Sequence, residues 1–323
     1  MGRRVEDRSL SGGTDHLRWF DPREGHEMDI GIFRYEPTVD RAVDQIRIAA
    51  EQGFGSFWMP QIYGLDALTT LAIAAREEPD IRLGTGVVPV YRQHPMALAQ
   101  QALTVAQVGE GRLTLGIGLS HEVVVESLWG LSYDRPLRYM REYLAALGPL
   151  LNGEETAANG EVVTARGTVD VRAPAPEVLV AALGPKMLEL AGRVADGTVT
   201  WMVGPKTLAE HIVPTIGAAA STAGRAEPQV AVSLPVCVTD RPDRATERAA
   251  AEFVMYGTLP SYRSMLDREG VAGPEDVAVI GSADEVATRL AAVDDAGATA
   301  FAASEFGTPD ERAATRELLI SLR

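Results

Sequence analysis

From residue 28 onward, short apolar runs alternate with stretches in which apolar residues recur every three or four positions. The runs are typical of buried strands, and the spaced pattern is typical of amphipathic helices. The runs predict eight strands: Asp29–Phe33, Phe54–Met59, Ile81–Val88, Arg112–Ile117, Val178–Leu183, Thr198–Val203, Val230–Val238 and Ala298–Ser304. Strands that alternate with helices form parallel sheets, and eight of them close into a barrel.

The alternation pauses between strands four and five. A helix is predicted from Asp134–Pro136, followed by a small hairpin within residues 160–174, so this segment is an insertion after strand four. A long helical stretch is predicted after strand seven, over residues 245–269. A doubly wound open sheet is the alternative fold, but it normally carries a glycine-rich turn after its first strand. Phe33-Arg34-Tyr35 stands there instead. We therefore predict a single (β/α)8 TIM barrel over residues 28–323, preceded by a disordered extension over residues 1–27.

Composition narrows the classes of partner. The net charge is −15, and an acidic surface repels phosphate backbones and anionic lipids, so neither nucleic acid nor membrane is an expected partner. No apolar run approaches the roughly 20 residues of a membrane span, and no apolar signal segment follows Arg3 and Arg4, which predicts a cytoplasmic protein. The single cysteine, Cys237, has apolar neighbours and is predicted to be buried, and five scattered histidines predict no metal site.

The active site of a barrel of this kind lies at the carboxyl ends of its strands. A substrate pocket is predicted there from Phe33, Gln61, Trp201 and Met202, whose mostly apolar character favours an aromatic or otherwise apolar substrate.

Glycines interrupt strands three and four at the same end of the barrel. Gly86, Gly116 and Gly118 are predicted to bind a cofactor, because glycine inside a strand marks a bulge or the close approach of a ligand. A barrel bend without a ligand is the alternative. Gly116 and Gly118 do not begin a dinucleotide motif, because His121 stands where its third glycine belongs. They suit a strand end beneath a flat ring, and Ser120 is predicted to bind the cofactor with them.

His121 is the one catalytic candidate. A histidine between a strand end and a helix could donate a proton or form a hydrogen bond with a cofactor carbonyl. A histidine that simply faces solvent at a helix start is the alternative.

The segment after strand five predicts a phosphate site. Leu183, Gly184, Pro185, Lys186 and Met187 place a glycine, a proline and a lysine where a strand gives way to a helix. Free N–H groups and the helix dipole at such a turn attract anions. Val203–Lys206 has the same form and holds the other of the two lysines of the chain. An ordinary strand-to-helix turn, or a barrel acting on phosphorylated sugars, would also fit.

These segments together resemble the luciferase-like monooxygenase family, especially its F420-dependent oxidoreductases. The likeness covers Met28 to Leu319 and rests on DIGIF, RLGTGVVPVYRQHP, RLTLGIGLSHEVVVESLWGLSYDRPLRYMREYL and ALGPKMLELAGRVADGTVTWMVGP. It implies a homodimeric barrel that binds coenzyme F420 or FMN. It also implies a bulge after strand three, often with a non-prolyl cis peptide, here Gly86–Val87, that backs the central ring of the cofactor. The phosphate region of the family matches Leu183–Met187.

The chain departs from the family at two acid/base positions. An Asp-His or Glu-His pair often follows strand two, where this chain has Pro60-Gln61-Ile62-Tyr63, and Leu119 replaces a frequent glutamate after the strand-four glycines. This weakens a dehydrogenase assignment. We expect an F420-dependent oxidoreductase that reduces a C=C or C=N bond of a small organic molecule. An FMN-dependent monooxygenase and a non-catalytic F420-binding protein are the alternatives.

Overall fold

The computed structural model describes residues 28–323, so the predicted extension over residues 1–27 lies outside the described residues. Eight parallel strands close in chain order, because the first pairs with both the second and the last. They are β1 Asp29–Phe33, β2 Ser56–Met59, β3 Arg82–Thr85, β4 Leu113–Gly118, β5 Glu177–Val180, β6 Gly197–Trp201, β7 Gln229–Val238 and β8 Ala300–Glu305. The predicted TIM barrel is confirmed, and the domain boundary at residue 28 stays a prediction.

Helices surround this ring. They are α1 Val39–Glu51, α2 Ala67–Glu77, α3 Pro95–Val108, α4 Pro136–Leu151, α5 Pro185–Val194, α6 Pro205–Thr207, α7 Val213–Thr222, α8 Pro242–Glu252, α9 Val254–Thr258, α10 Pro260–Glu269, α11 Pro274–Val277, α12 Ala283–Asp295 and α13 Pro309–Ser321. Proline begins most of them, as expected where the first N–H has no helical acceptor. Among residues 28–323, no helix is long and apolar enough to cross a membrane.

Three predicted elements differ in detail. The long helical stretch predicted over residues 245–269 is divided into α8, α9 and α10, since Pro260 requires an extended Leu259 before it. The predicted third strand ends at Thr85, and a separate short strand, Val88–Pro89, pairs with β4. The hairpin in the insertion is present but starts earlier, with Thr156–Asn159 paired to Thr164–Gly167. A short strand that the pattern missed, Val279–Gly281, pairs with β7.

A single large aromatic residue occupies the centre of the barrel. Trp58 is 1% exposed and packs with Leu179, Val199 and three alanines of β7 and β8. Its Nε1 donates to Ser56 Oγ at 3.1 Å, and Ser56 Oγ donates to Asp29 at 3.0 Å. Trp58 is therefore a core residue, and it forms a filled floor beneath the mouth of the barrel, at the carboxyl ends of the strands.

Charged side chains hold the seam where β8 meets β1. Glu305 at the end of β8 pairs with Arg316 of α13 at 2.6 Å and with Arg34 at 3.5 Å. Arg316 also donates to Gln52 Oε1 at 2.9 Å, after α1. Because Glu305 is only 3% exposed, removing either arginine would leave a buried charge without part of its compensation. The first strand is thus joined to the last helix.

Candidate active site

A bulge follows β3 at the barrel mouth. The Gly86–Val87 peptide bond is cis, at the position that the family resemblance implies. Gly116 and Gly118 of β4 face this bulge: an added Cβ would lie 1.9 Å from Thr85 O at Gly116 and 2.7 Å from Val87 Cγ2 at Gly118. Both glycines are therefore required by the packing of the bulge itself. Whether they, Gly86, Val87 and Ser120 also contact a cofactor stays a prediction.

Five rings form a continuous row of contacts at the mouth. Phe33 stacks on Trp201 with centroids 5.7 Å apart, Trp201 meets Tyr256 at 5.9 Å, Tyr256 meets Tyr262 at 5.0 Å, and Tyr262 meets His121 at 5.8 Å. We call these five residues the aromatic arc. It joins the ends of β1, β4 and β6 through two helices that follow β7. The predicted residues Phe33, Trp201 and His121 are thus brought together.

The two tyrosines of the arc are not among the site residues predicted from the sequence. Tyr256 lies on α9 and Tyr262 on α10, within the stretch that the pattern predicts as one continuous helix. Aromatic residues on such a helix are ordinarily part of its packing face. The break at Leu259–Pro260 is the signal that could have separated them from that face, because it turns α10 relative to α9.

The groups of the arc that can ionise are neutral at pH 7. Burial lowers the pKa of His121 below its usual 6.5. Burial raises the pKa of Tyr262, and burial likewise raises that of Tyr256, although the neighbouring Trp201 side chain opposes the change. The protonated, positively charged form of His121 is therefore scarce at pH 7. His121 is accordingly better suited to form a hydrogen bond with a ligand than to donate a proton to it.

The turn at Gly184 is open. Gly184 caps the start of α5 without any side-chain cap, and no atom lies within 4 Å of where its Cβ would be. Gly184, Pro185 and Lys186 are all exposed. From below, the turn is held by His211, whose Nε2 lies 2.8 Å from Leu183 O. A helix start that is rigid beneath and open above can receive a phosphate group.

The matching turn at Gly204 is closed. The carboxylate of Glu269 accepts hydrogen bonds from Lys206 N at 3.2 Å and Thr207 N at 2.7 Å. A cleft of about 190 Å³ lies beside this turn, lined by Glu269, Arg289 and mainly aliphatic side chains. The N–H groups that would hold an anion here are already bonded to a carboxylate of the chain. Of the two Gly-Pro-Lys turns, only the first can serve as a phosphate site in this structure.

Two predicted pocket residues lie elsewhere. The side-chain oxygen of Gln61 accepts from Ala67 N at 3.1 Å, so this buried side chain supports the start of α2. Met202 is fully buried in the core between the barrel and its helices. The structure does not bring Met202 to the mouth. Met202 follows the last residue of β6 in a left-handed backbone conformation (φ 57°), and its side chain packs in the core, whereas Trp201 joins the aromatic arc. Leu183 and Met187 are partly buried against the same core.

The carboxylates at the ends of β1 and β8 are paired. Glu36 is 2% exposed and lies 3.2 Å from Nε of Arg41, and it also pairs with Arg34. Glu305 is held by Arg34 and Arg316, as described above. Both carboxylates are therefore engaged in ion pairs within the chain.

Comparison with known proteins places this geometry in a family. Residues 19–300 match the luciferase-like monooxygenase family. The chain is 32% identical over 280 residues to the 5,10-methylenetetrahydromethanopterin reductase of Methanolobus tindarius, with 84% of this chain and 85% of that relative covered. The chain therefore belongs to the luciferase-like monooxygenase family, and it is an oxidoreductase of that family.

Solved structures have the same fold. The coenzyme F420-dependent tetrahydromethanopterin reductase of Methanopyrus kandleri superposes with a TM-score of 0.76 at 23% identity, covering 91% of this chain and 98% of that one. The FMN-bound oxygenating constituent of 3,6-diketocamphane monooxygenase from Pseudomonas putida has a TM-score of 0.72 at 19% identity, covering 92% and 97%. At these identities the two structures support the barrel and do not distinguish the cofactor.

Proposed function

We propose that the protein is an F420-dependent reductase that transfers hydride to a C=N or C=C bond of a small organic molecule. The observation that carries the proposal is the lack of a carboxylate–histidine pair at the mouth: no carboxylate among residues 28–323 accepts a hydrogen bond from His121, and Glu36 and Glu305 are paired with arginines. Oxidation of an alcohol needs a base to take the hydroxyl proton. Reduction of an iminium carbon needs hydride alone, since the nitrogen becomes neutral as the C–H bond forms. Reduction of a C=C bond takes one proton in addition to the hydride, and solvent water can supply that proton.

The residues present fit a flavin-type cofactor. The open turn at Gly184–Lys186 would hold its phosphate, and the Gly86–Val87 bulge would support its ring system over the floor formed by Trp58. When bound in reduced form, F420 supplies the hydride. The phosphate turn suits either cofactor. The choice of F420 over FMN rests on the relatives, among them a putative coenzyme F420-dependent oxidoreductase of Mycobacterium tuberculosis that is 30% identical over 196 residues.

The roles of the mouth residues follow from their chemistry. Phe33 and Trp201 would exclude water from the face on which hydride is transferred. The ring nitrogens of His121 make no hydrogen bond to residues 28–323, so they are available to orient a polar atom of the ligand. A ring-lined pocket of this kind favours a planar, largely apolar substrate.

The test is a parallel titration of the purified protein with F420 and with FMN, followed by tryptophan and cofactor fluorescence. We expect saturable binding of F420 and much weaker binding of FMN. Reduced F420 should then be oxidised on addition of cyclic imines or enones, without consumption of oxygen. Preference for FMN together with oxygen consumption would establish the monooxygenase alternative, and binding of neither would overturn the proposal.

A further inference from the structure

The ring of His121 contacts the ring of Tyr262. The two ring centroids are 5.8 Å apart, with an interplanar angle of 59°. Tyr262 is supported from behind by the Tyr256 ring at 5.0 Å and 74°. His121 follows β4, whereas Tyr262 belongs to α10, so this contact depends on how the helices that follow β7 pack. The contact is separate from the hydrogen bonds that begin the next helical turn, in which Val124 N and Val125 N donate to His121 O at 2.9 Å.

The titratable groups around His121 lie on three elements. Glu122 is its exposed neighbour in sequence, and Tyr133 of the following loop reaches Ser120 O at 3.5 Å. Tyr262 of α10 contacts the imidazole ring, and Tyr256 of α9 lies behind Tyr262. None of the carboxylates among residues 28–323 accepts a hydrogen bond from its ring, and burial is the cause of its lowered pKa. The aromatic ring of Tyr262 is the neighbour best placed to provide that burial.

We propose that Tyr262 is a positioning residue that holds His121 in its neutral form by excluding water from one face of the imidazole. A neutral imidazole both donates and accepts a hydrogen bond. It can therefore orient a ligand without placing a positive charge beside an electron-poor C=N carbon. An imidazolium at the same position would repel an iminium substrate. The inference rests on the proposed function only for the identity of that ligand.

The proposal can be tested without any cofactor. The titration of His121 is followed by the NMR signal of its Cε1–H between pH 4.5 and 8.5, roughly two units either side of the usual histidine value of about 6.5. The signal is assigned from its absence in His121→Gln. In the wild type and in Tyr262→Phe, His121 should titrate below that value, because both proteins keep an aromatic ring at position 262. In Tyr262→Ala, and in the milder Tyr262→Val, His121 should titrate closer to the usual value.

Tyr63→Ala, which removes an exposed tyrosine, is the matched control and should leave the titration of His121 unchanged. Circular dichroism tests whether each variant is folded. If Tyr262→Ala does not fold, Tyr262→Val takes its place in the comparison. An unchanged His121 titration in the folded Ala or Val variant would overturn the proposal, as would a Phe variant that behaves like Ala. If wild type instead fails to bind F420, the proposed function falls while this titration result stands.

Discussion

The two Gly-Pro-Lys turns have the same local sequence, but the first is open to solvent and the second is closed by a side chain. Gly184–Lys186 is exposed and has no side-chain cap, whereas the N–H groups that follow Gly204 are bonded to Glu269 from a helix 62 residues later in the chain. Both turns lie at the carboxyl end of a barrel strand, and both begin a helix with proline. The difference shows that a helix start becomes an anion site only when the rest of the fold leaves it without an internal acceptor.

The largest effect should come from closing the open turn. Gly184→Asp would place a carboxylate at the cap of α5, as Glu269 does at the other turn. Aspartate is a good N-cap and no atom lies near its Cβ, so folding stability should be unchanged or slightly higher. The affinity for F420 should fall roughly 10- to 100-fold, since the carboxylate both occupies the N–H groups and repels phosphate. Fluorescence titration and thermal denaturation measure the two quantities.

Gly217→Asp is a control, because Gly217 also has no atom near its Cβ but lies inside α7, away from the mouth. It should not change cofactor affinity. An affinity that survives Gly184→Asp in a folded protein would contradict the assignment of this turn.

Opening the closed turn should affect stability rather than binding. Glu269→Ala removes two hydrogen bonds to backbone N–H groups of α6, one of them at 2.7 Å. We expect the free energy of unfolding to fall by about 1–2 kcal/mol, with F420 affinity unchanged. Chemical denaturation tests this, with the exposed Glu252→Ala as control. A loss of F420 affinity comparable to that of Gly184→Asp would show that the second turn takes part in binding.

A third helix start, at α13, is closed even more fully. Burial raises the pKa of Glu311, but hydrogen bonds from Thr308, Thr239 and Arg248 outweigh it and lower the value to about 2. A depressed carboxylate pKa adds stability above the unfolded value of 4.5, and that stability is lost as pH falls toward 2. Glu311→Gln should lower the free energy of unfolding by about 1 kcal/mol at pH 7. The substitution should also reduce the dependence of the free energy of unfolding on pH between pH 4.5 and 2. An unchanged dependence would show that Glu311 is not the source of this acid sensitivity.

The smallest effect separates the two lysines. Lys186→Ala should weaken F420 binding by roughly threefold, because an exposed charge contributes less than about 1 kcal/mol. The loss should shrink as salt is added, owing to screening. Lys206→Ala should have no effect on binding, since its turn is closed. If both substitutions weakened F420 binding equally, the lysines would contribute only through the net charge of the protein.

The barrel was predictable from the sequence because alternation is a local property. Each strand is a short apolar run between turn residues, and the predicted and observed bounds of β1 coincide. The breaks at Phe253 and Leu259 were less evident, because the residues on either side keep helical character and only Pro260 marks the change.

The candidate site was predictable in part. Phe33, Trp201, His121 and the Gly184 turn follow from strand ends, whose positions the pattern determines. Tyr262 and Glu269 could not be found in this way, because their roles depend on where a distant helix packs. The same limit explains why Val203–Lys206 seemed equivalent to the first turn: both turns can be recognised in the sequence, but the packing of Glu269 against the second turn cannot.

The seam between β1 and β8 has a consequence for synthesis on the ribosome. At this seam Arg316 forms a hydrogen bond with Gln52, and the two residues are 264 positions apart in the chain. The first strand must therefore wait, with one edge unpaired, until β8 and α13 have left the exit tunnel. Closing contacts between such distant residues is slow, and an unpaired strand edge invites association with other chains. Nascent protein would thus expose this edge to association until β8 has been made.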